Sequence, residues 1–274
     1  MIQIKENRNP PFKYIIGPCS MESKDIMKEI AAEVSSISKK FNIEVIFKAS
    51  FDKANRTSVK SYRSVGIEKG LEYLSEIKSE YKIMITTDVH ETWQVKLCSG
   101  IIDIIQIPAF LCRQTELLVE SGRHFSKINI KKGQFMAPED MKYAVEKVKS
   151  GNSSLGFSDV WVTERGTTFG YHNLVVDMRS IPIIRGFAPC IFDVTHSTQR
   201  PGALNGSSGG DSKWAPFLAR AAAAVGVDGF FIETHPNPPM ALSDGPLMVP
   251  LRDLPQLIQG LESIRTVADQ ISTR

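Results

Sequence analysis

The chain has 274 residues, of which 42% are hydrophobic and 23% charged, a composition typical of a globular protein that can bury a large core. Its net charge of +3 is too small for the broad basic surface with which proteins bind nucleic acid or acidic membranes, so it favours a small anionic ligand instead. No stretch resembles a membrane span or a signal peptide, and the four cysteines are widely spaced, which indicates reduced thiols. We therefore expect a cytoplasmic protein that binds neither nucleic acid nor membranes.

Short apolar runs alternate with amphipathic stretches from one end of the chain to the other. The runs predict strands at residues 14–19, 45–49, 83–87, 101–107, 127–130, 160–163, 191–194 and 230–233. The amphipathic stretches predict helices at 24–41, 67–77, 93–98, 115–120, from Pro138 onward, and at 174–178, 214–225 and 254–271. Ser23 is a favoured residue for capping the first helix, and Pro138 suits a first helical turn.

Eight strand–helix units in roughly the 250 residues typical of the fold predict one (β/α)8 TIM barrel domain over residues 1–274, with residues 1–12 as an N-terminal arm. A doubly wound open sheet is the alternative. A barrel places catalytic side chains at the C-terminal ends of its strands. The residues at or just after the predicted strand ends are all reactive or hydrogen-bonding, namely Cys19, Lys48, Asp88, Gln106, Lys131, Arg165, His196 and Glu233. The long loops 50–66, 197–211 and 234–253 are expected on the same rim.

Cations form the first group on this rim. Its members are Lys48, Lys53, Lys131 and Arg165, with Lys132 and Arg56 as further candidates. So many cations facing one cavity require a ligand of high negative charge density, such as the phosphorylated carboxylate phosphoenolpyruvate. Gln106 and Gln134 can add hydrogen bonds without charge. The alternatives are a solvated basic loop and, for Gln134, an ordinary turn.

Potential metal ligands form the second group, which comprises Cys19, His196, Glu233 and Asp244. A shell of sulfur, nitrogen and oxygen donors suits Zn²⁺, Fe²⁺, Mn²⁺ or Co²⁺. The chain has no local metal motif of the paired-cysteine or two-histidine kind. Taken singly, a buried cysteine and a turn-forming aspartate remain alternatives for Cys19 and Asp244.

Eight motifs, in order over nearly the whole chain, together resemble the 3-deoxy-D-manno-octulosonate 8-phosphate synthase family. They are residues 17–23 (GPCSMES), 47–57 (FKASFDKANRT), 87–91 (TDVHE), 106–111 (QIPAFL), 129–135 (NIKKGQF), 165–166 (RG), 192–196 (FDVTH) and 232–236 (IETHP). The resemblance implies a transferase on a (β/α)8 barrel, commonly a homotetramer, that condenses phosphoenolpyruvate with arabinose 5-phosphate for lipopolysaccharide synthesis.

The resemblance also implies roles for single residues. Phosphoenolpyruvate would contact Lys48, Lys53, Lys131, Gln134 and Arg165, and the aldose phosphate would contact Asn55, Arg56 and Thr57, where Ser is commoner in the family. Gln106 and Gln199 join these substrate-binding residues, although the loop 199–211 departs from the family pattern and its contacts stay open. Lys48, Asp88, Lys131 and His196 are the expected catalytic residues. In relatives Arg56 reaches a neighbouring subunit's site.

Cys19 places the chain with the metal-dependent class of the family, since the metal-free class has Asn there. The implied divalent ion is held by Cys19, His196, Glu233 and Asp244, and its identity stays open. Three alternative functions also stay open: a sister synthase that uses erythrose 4-phosphate, a metal-dependent aldolase, and a non-catalytic phosphosugar-binding barrel. The sister enzyme usually has Lys-Pro-Arg-Ser/Thr where this chain has Lys53-Ala-Asn-Arg-Thr57.

Overall fold

Eight parallel strands form a closed barrel in the computed structural model, which describes residues 11–56, 58–151, 159–168, 170–204 and 207–271. The barrel strands are β1 (Lys13–Gly17), β2 (Glu44–Lys48), β3 (Met84–Asp88), β4 (Ile104–Ile107), β5 (Lys127–Lys131), β6 (Asp159–Glu164), β7 (Cys190–Asp193) and β8 (Gly229–His235). Each strand pairs with the next, and β1 pairs with β8 from Lys13 opposite Gly229 to Gly17 opposite Glu233. The (β/α)8 prediction is therefore confirmed, and the open-sheet alternative is wrong.

The described residues form eight α-helices that surround the barrel. They are α1 (Lys24–Phe41), α2 (Ile67–Tyr81), α3 (Thr92–Cys98), α4 (Thr115–His124), α5 (Met141–Gly151), α6 (Ser180–Arg185), α7 (Ala215–Val225) and α8 (Leu254–Ile271). The Ser23 hydroxyl caps α1 by accepting a hydrogen bond from the Ile26 N–H at 3.2 Å. Pro138 opens a short 3₁₀ turn, Pro138–Asp140, that leads directly into α5.

Two parts of the chain differ from the predicted pattern. The predicted helix at 174–178 is wrong, because Val175 instead pairs in an extended bridge with Thr167 and α6 begins only at Ser180. Val175 and Val176 are β-branched and suit this extended backbone. The loop after β7 contains an antiparallel hairpin, Gln199–Leu204 with Ser207–Gly210, which was not predicted.

Apolar side chains fill the barrel interior below the rim. This inner layer consists of Ile15, Ile46, Ile104, Trp161, Ile191 and Phe231, all fully buried. A larger apolar core lies between the strands and the helices, and it includes Phe12, which packs edge-on against Phe230 at 5.0 Å between ring centroids. Residues 1–10 of the predicted arm lie outside the described residues. Among the described helices, none has the length and apolar character that crossing a membrane requires.

Candidate active site

A cavity of about 310 Å³ opens at the C-terminal ends of the strands. From the strand ends it is lined by Lys48, Asp88, Gln106, Lys131, Arg165, His196 and Glu233, and from the loops by Lys53, Asn55, Arg56, Gln134, Gln199 and Asp244. Cys19 is buried directly behind Asp244, with its Sγ 3.2 Å from Asp244 Oδ2. Thr57 lies outside the described residues. All the other predicted site residues therefore meet at one end of the barrel, as the fold requires.

Two buried lysines of the cavity lie close to the same aromatic ring, that of Phe231. Lys131 Nζ lies 3.5 Å and Lys48 Nζ lies 5.5 Å from the centroid of the Phe231 ring. Lys48 Nζ donates to Glu233 Oε1 at 2.8 Å and to the Cys19 carbonyl oxygen at 3.0 Å. Burial lowers the pKa of Lys131, although the nearby carboxylates of Asp193 and Glu233 oppose this effect.

Arg165 offers the clearest vacant donor to an anion. Its Nη2 donates to Gln199 Oε1 at 2.7 Å, whereas its buried Nη1 has no hydrogen-bond partner among the described residues. A buried donor without a partner is costly, and a guanidinium matches planar anions with paired hydrogen bonds. Arg165 is therefore suited to bind a carboxylate or phosphate in the cavity.

Asp88 is a buried carboxylate that lines the cavity from the end of β3. It accepts hydrogen bonds from the Ser50 hydroxyl and from His90 Nε2, the latter at 3.3 Å. Burial alone would raise the pKa of Asp88, but the His90 hydrogen bond and the charges of Lys48 and Lys53 lower it well below its usual range. Asp88 is thus ionised at neutral pH and acts as a fixed hydrogen-bond acceptor.

The predicted metal ligands converge beside these cations. Ligand atoms of Cys19, Glu233 and Asp244 all lie within 4.8 Å of one another. His196 Nε2 lies 3.5 Å from Glu233 Oε2 and 4.0 Å from Asp244 Oδ2. Glu233 Oε2 is buried without a hydrogen-bond partner among the described residues, and it faces this group. A thiol, an imidazole and two carboxylates in this arrangement fit a divalent transition-metal ion.

Asp193 is a functional candidate that the sequence reasoning did not single out. Its carboxylate accepts from His196 Nδ1 at 2.9 Å, from the His196 backbone N–H at 2.8 Å and from Lys131 Nζ at 2.7 Å. Burial opposes its ionisation, but His196 and Lys131 hold the pKa of Asp193 below its usual range. The sequence signal for Asp193 was its position three residues before His196, which allows its carboxylate to accept from the histidine Nδ1. Such a contact leaves Nε2 free to bind a metal.

Two of the predicted cations are placed differently from the others. Lys132 does not line the cavity, because its side chain leaves β5 on the opposite side from Lys131 and is buried near Glu164.

Arg56 lies inside the cavity of its own chain, where it donates to the Ser243 hydroxyl and its Nη1 is 3.7 Å from Asp244 Oδ1. The expectation that Arg56 serves a neighbouring subunit concerns an assembly and stays a prediction.

Known proteins resemble this chain over nearly its whole length. It is 55% identical to a protein of Helicobacter hepaticus, with 92% of this chain and 96% of the relative covered, and 53% identical to one of Wolinella succinogenes, with 92% and 99% covered. It is also 50% identical to a protein of Helicobacter acinonychis, with 97% and 100% covered. All three relatives are named 2-dehydro-3-deoxyphosphooctonate aldolase. Residues 2–268 match the model of the DAHP synthetase I family, and the chain therefore belongs to that family.

Proposed function

We propose that this protein condenses phosphoenolpyruvate with arabinose 5-phosphate and water, giving 3-deoxy-D-manno-octulosonate 8-phosphate and inorganic phosphate. The observation that carries the proposal is the shared cavity, in which buried cations lie beside Cys19, His196, Glu233 and Asp244. The name of the relatives refers to the same octulosonate phosphate. The product would supply the sugar of lipopolysaccharide.

Phosphoenolpyruvate is assigned to the inner part of the cavity. Arg165, with its vacant Nη1, would pair with planar oxygens, and Lys53 and Lys131 would neutralise the phosphoryl group. Lys48 donates to Glu233 and lies near the Phe231 ring, so its ammonium group is held in place, and it would lie beside the reacting carbons of the bound substrate. Gln134 and Gln106 would complete the contacts without adding charge.

Arabinose 5-phosphate is assigned to the part of the cavity lined by Asn55 and Arg56, from the loop after β2. The family resemblance adds Thr57, which lies outside the described residues. The nucleophile is C3 of the enol, which attacks the aldehyde carbon, while water adds to C2 and phosphate then leaves by C–O cleavage. Holding both substrates together removes most of the entropic barrier to their meeting. Asp88, ionised and fixed by Ser50 and His90, is suited to accept a hydrogen bond from a sugar hydroxyl or from the attacking water.

A divalent ion would be held by Cys19, His196, Glu233 and Asp244. When bound, such an ion supplies Lewis acidity that polarises an aldehyde or activates water. Asp193 fixes the His196 ring so that Nε2 faces the other ligands. Lys131 Nζ donates to the same Asp193 carboxylate, so this one residue orients both a proposed phosphoenolpyruvate contact and a proposed metal ligand.

We further propose a cytoplasmic homo-oligomer, with the homotetramer implied by the family resemblance as the expected state. A site that takes Arg56 from a neighbour cannot form in a monomer. No nucleic-acid partner is expected at a net charge of +3.

One assay separates the proposal from its alternatives. Purified protein is given phosphoenolpyruvate with either arabinose 5-phosphate or erythrose 4-phosphate, and both phosphate release and the sugar product are measured. We expect turnover with arabinose 5-phosphate, because residues 53–57 lack the Lys-Pro-Arg pattern of the sister synthase. Preference for erythrose 4-phosphate would support the sister activity, and absence of phosphate release with both aldoses would support a metal-dependent aldolase or a binding protein.

A further inference from the structure

Lys132 has a buried ammonium group that the proposed chemistry does not use. It follows β5 directly, next to the cavity residue Lys131, yet its side chain is fully buried outside the cavity. Burying a cation is costly unless several oxygens surround it. The role of Lys132 can therefore be inferred from the oxygens that surround its ammonium group.

Four of these oxygens come from two different loops. Lys132 Nζ lies 3.4 Å from the Gly133 carbonyl oxygen and 3.5 Å from that of Met136, both in the loop after β5. It also lies 3.2 Å from the Gly166 carbonyl oxygen and 3.1 Å from Thr167 Oγ1, both in the loop after β6. An ammonium has three protons, so these oxygens share its donors. One cation thus links the two loops.

Glu164 completes this arrangement. Its Oε1 lies 3.5 Å from Lys132 Nζ and accepts a hydrogen bond from the Gly166 N–H at 2.6 Å. The loops also meet directly, since the Thr168 N–H donates to the Gln134 carbonyl oxygen at 3.2 Å. A buried ion pair is weak support for a purely stabilising role, because a well-packed apolar pair of similar size is often as stable.

The backbone of the second loop is held in an unfavourable conformation. Thr168 has a φ of 78°, a left-handed value that side chains with a branched Cβ rarely adopt. Such conformations cost on the order of 1–3 kcal/mol and persist only where the surroundings fix them. The contacts of Lys132 with Gly166 and Thr167, immediately before Thr168, are suited to fix this one.

Both loops carry side chains that line the cavity. Gln134 lies between Gly133 and Met136, and Arg165 precedes Gly166. The position of the unpartnered Nη1 of Arg165 depends on the backbone of the loop after β6 as well as on the contact of Nη2 with Gln199. A shift of either loop would therefore displace a proposed phosphoenolpyruvate contact.

We propose that Lys132 is a positioning residue, whose ammonium clamps the loops after β5 and β6 together and so fixes Gln134 and Arg165 for phosphoenolpyruvate. The inference rests on the proposed function in its assignment of those two side chains. The clamp itself is a property of the folded chain without substrate. It can therefore be tested separately from the reaction.

The test uses the double variant Lys132→Met with Glu164→Gln. Removing Lys132 alone would leave the Glu164 charge buried without its partner, whereas the double variant keeps an acceptor for the Gly166 N–H. We expect faster amide hydrogen exchange in residues 133–136 and 165–168. We also expect kcat/KM for phosphoenolpyruvate to fall roughly 10- to 100-fold, as for a misplaced binding group, with the KM for arabinose 5-phosphate little changed.

Lys78→Met with Asp103→Asn is the control, because Lys78 likewise donates to a carbonyl oxygen and a carboxylate, those of Ile101 at 3.1 Å and Asp103 at 2.6 Å. This pair lies at the other end of the barrel and is partly exposed. This control should lower the free energy of unfolding without changing kcat/KM for phosphoenolpyruvate. Unchanged loop exchange in the folded double variant would overturn the clamp. Faster exchange with unchanged phosphoenolpyruvate kinetics would support the clamp and contradict the assigned roles of Gln134 and Arg165. If the double variant does not fold, Thr167→Val decides, since it removes one contact and should shift exchange in the same direction.

Discussion

Among the four proposed metal ligands, Cys19 is the one whose protonation bears most directly on ion binding. Its thiol is fully buried, and both burial and the nearby Glu233 carboxylate raise its pKa well above the ordinary value. The metal-free protein therefore carries a neutral thiol at neutral pH, whereas a metal ligand must be a thiolate. Binding of an ion must accordingly release the thiol proton.

The first prediction follows from this release. Affinity for Mn²⁺, Co²⁺, Fe²⁺ or Zn²⁺ should rise with pH, by about tenfold per unit for each proton released, between roughly pH 7 and 9. In Cys19→Ala the affinity should be weaker and its slope against pH smaller by one proton per ion. Competition titration with a chelator at several pH values measures both slopes. Equal slopes in the two proteins would show that the thiol does not take part.

Asp193 acts on the metal group through another residue. It accepts from His196 Nδ1 and from Lys131 Nζ with one carboxylate, and an amide in its place has only one oxygen acceptor and no charge.

The second prediction is that Asp193→Asn lowers metal affinity roughly 10- to 100-fold, the usual effect of removing the partner of a ligating histidine, and also raises the KM for phosphoenolpyruvate. Asp177→Asn is the control, since the Asp177–Arg179 pair is exposed and should contribute little. Metal titration and steady-state kinetics measure the two effects. A variant with wild-type metal affinity would contradict the role assigned to the carboxylate.

At the scale of elements, the regular helices were the most predictable part of the chain. α1 and α8 begin and end where their patterns predict, because each has a long apolar face and α1 has the Ser23 cap. The hairpin after β7 was missed because Pro201 and Gly202 are turn-forming residues within its first strand. Periodicity describes burial of a face, so it does not identify a short hairpin whose strands pair mainly with each other.

Side-chain partners were less predictable than strand ends. The rim residues followed from strand order alone, since every parallel strand ends at the same side of the barrel. The direction of Lys132 depends on the exact end of β5, which sequence patterns locate only to within a few residues. Asp193 was not predicted for a related reason. Its role depends on accepting hydrogen bonds from Lys131, which is distant along the chain, and from His196, which lies three residues later, and sequence patterns do not show such contacts.

The third prediction concerns the packing of β1 against β2. A Cβ on Gly17 would lie 1.9 Å from the Lys48 carbonyl oxygen, so Gly17→Ala must push the two strand ends apart. We expect unfolding free energy to fall by about 1–3 kcal/mol, together with weaker metal binding, because Cys19 and Lys48 follow these ends. Gly260→Ala in α8 is the control, since nothing lies within 4 Å of its Cβ and alanine favours helices. Urea unfolding and metal titration measure the two effects. A Gly17→Ala variant with the unfolding free energy and metal affinity of the wild type would contradict the prediction.

At the scale of the whole molecule, barrel closure brings the proposed metal ligands together. Cys19 follows the first strand and Glu233 lies on the last, and the two approach only because β1 pairs with β8, with Gly17 opposite Glu233. His196 arrives from β7, which is the other neighbour of β8. The cations come instead from β2, β5 and β6. Closure therefore explains why no local sequence motif marks the ligands.

Arg56 raises the question of whether one chain completes its own site. Within a single chain it contacts Ser243 and the proposed metal ligand Asp244, and a cation there would compete with a divalent ion for the Asp244 carboxylate. The family resemblance implies instead that Arg56 contacts the aldose phosphate in a neighbouring subunit. The two placements differ in which chain supplies the arginine.

The last prediction is that two inactive variants restore activity to each other. A chain with Arg56→Ala keeps Cys19, and a chain with Cys19→Ala keeps Arg56, so a mixed oligomer contains sites that take Cys19 from one chain and Arg56 from its neighbour. We expect phosphate release to reappear when the two proteins are unfolded, mixed and refolded together, and light scattering should show an oligomer under the same conditions. Each variant refolded alone is the control. If the mixture stays inactive although mass spectrometry shows mixed oligomers, Arg56 serves its own chain, and the oligomer is not required to complete the site.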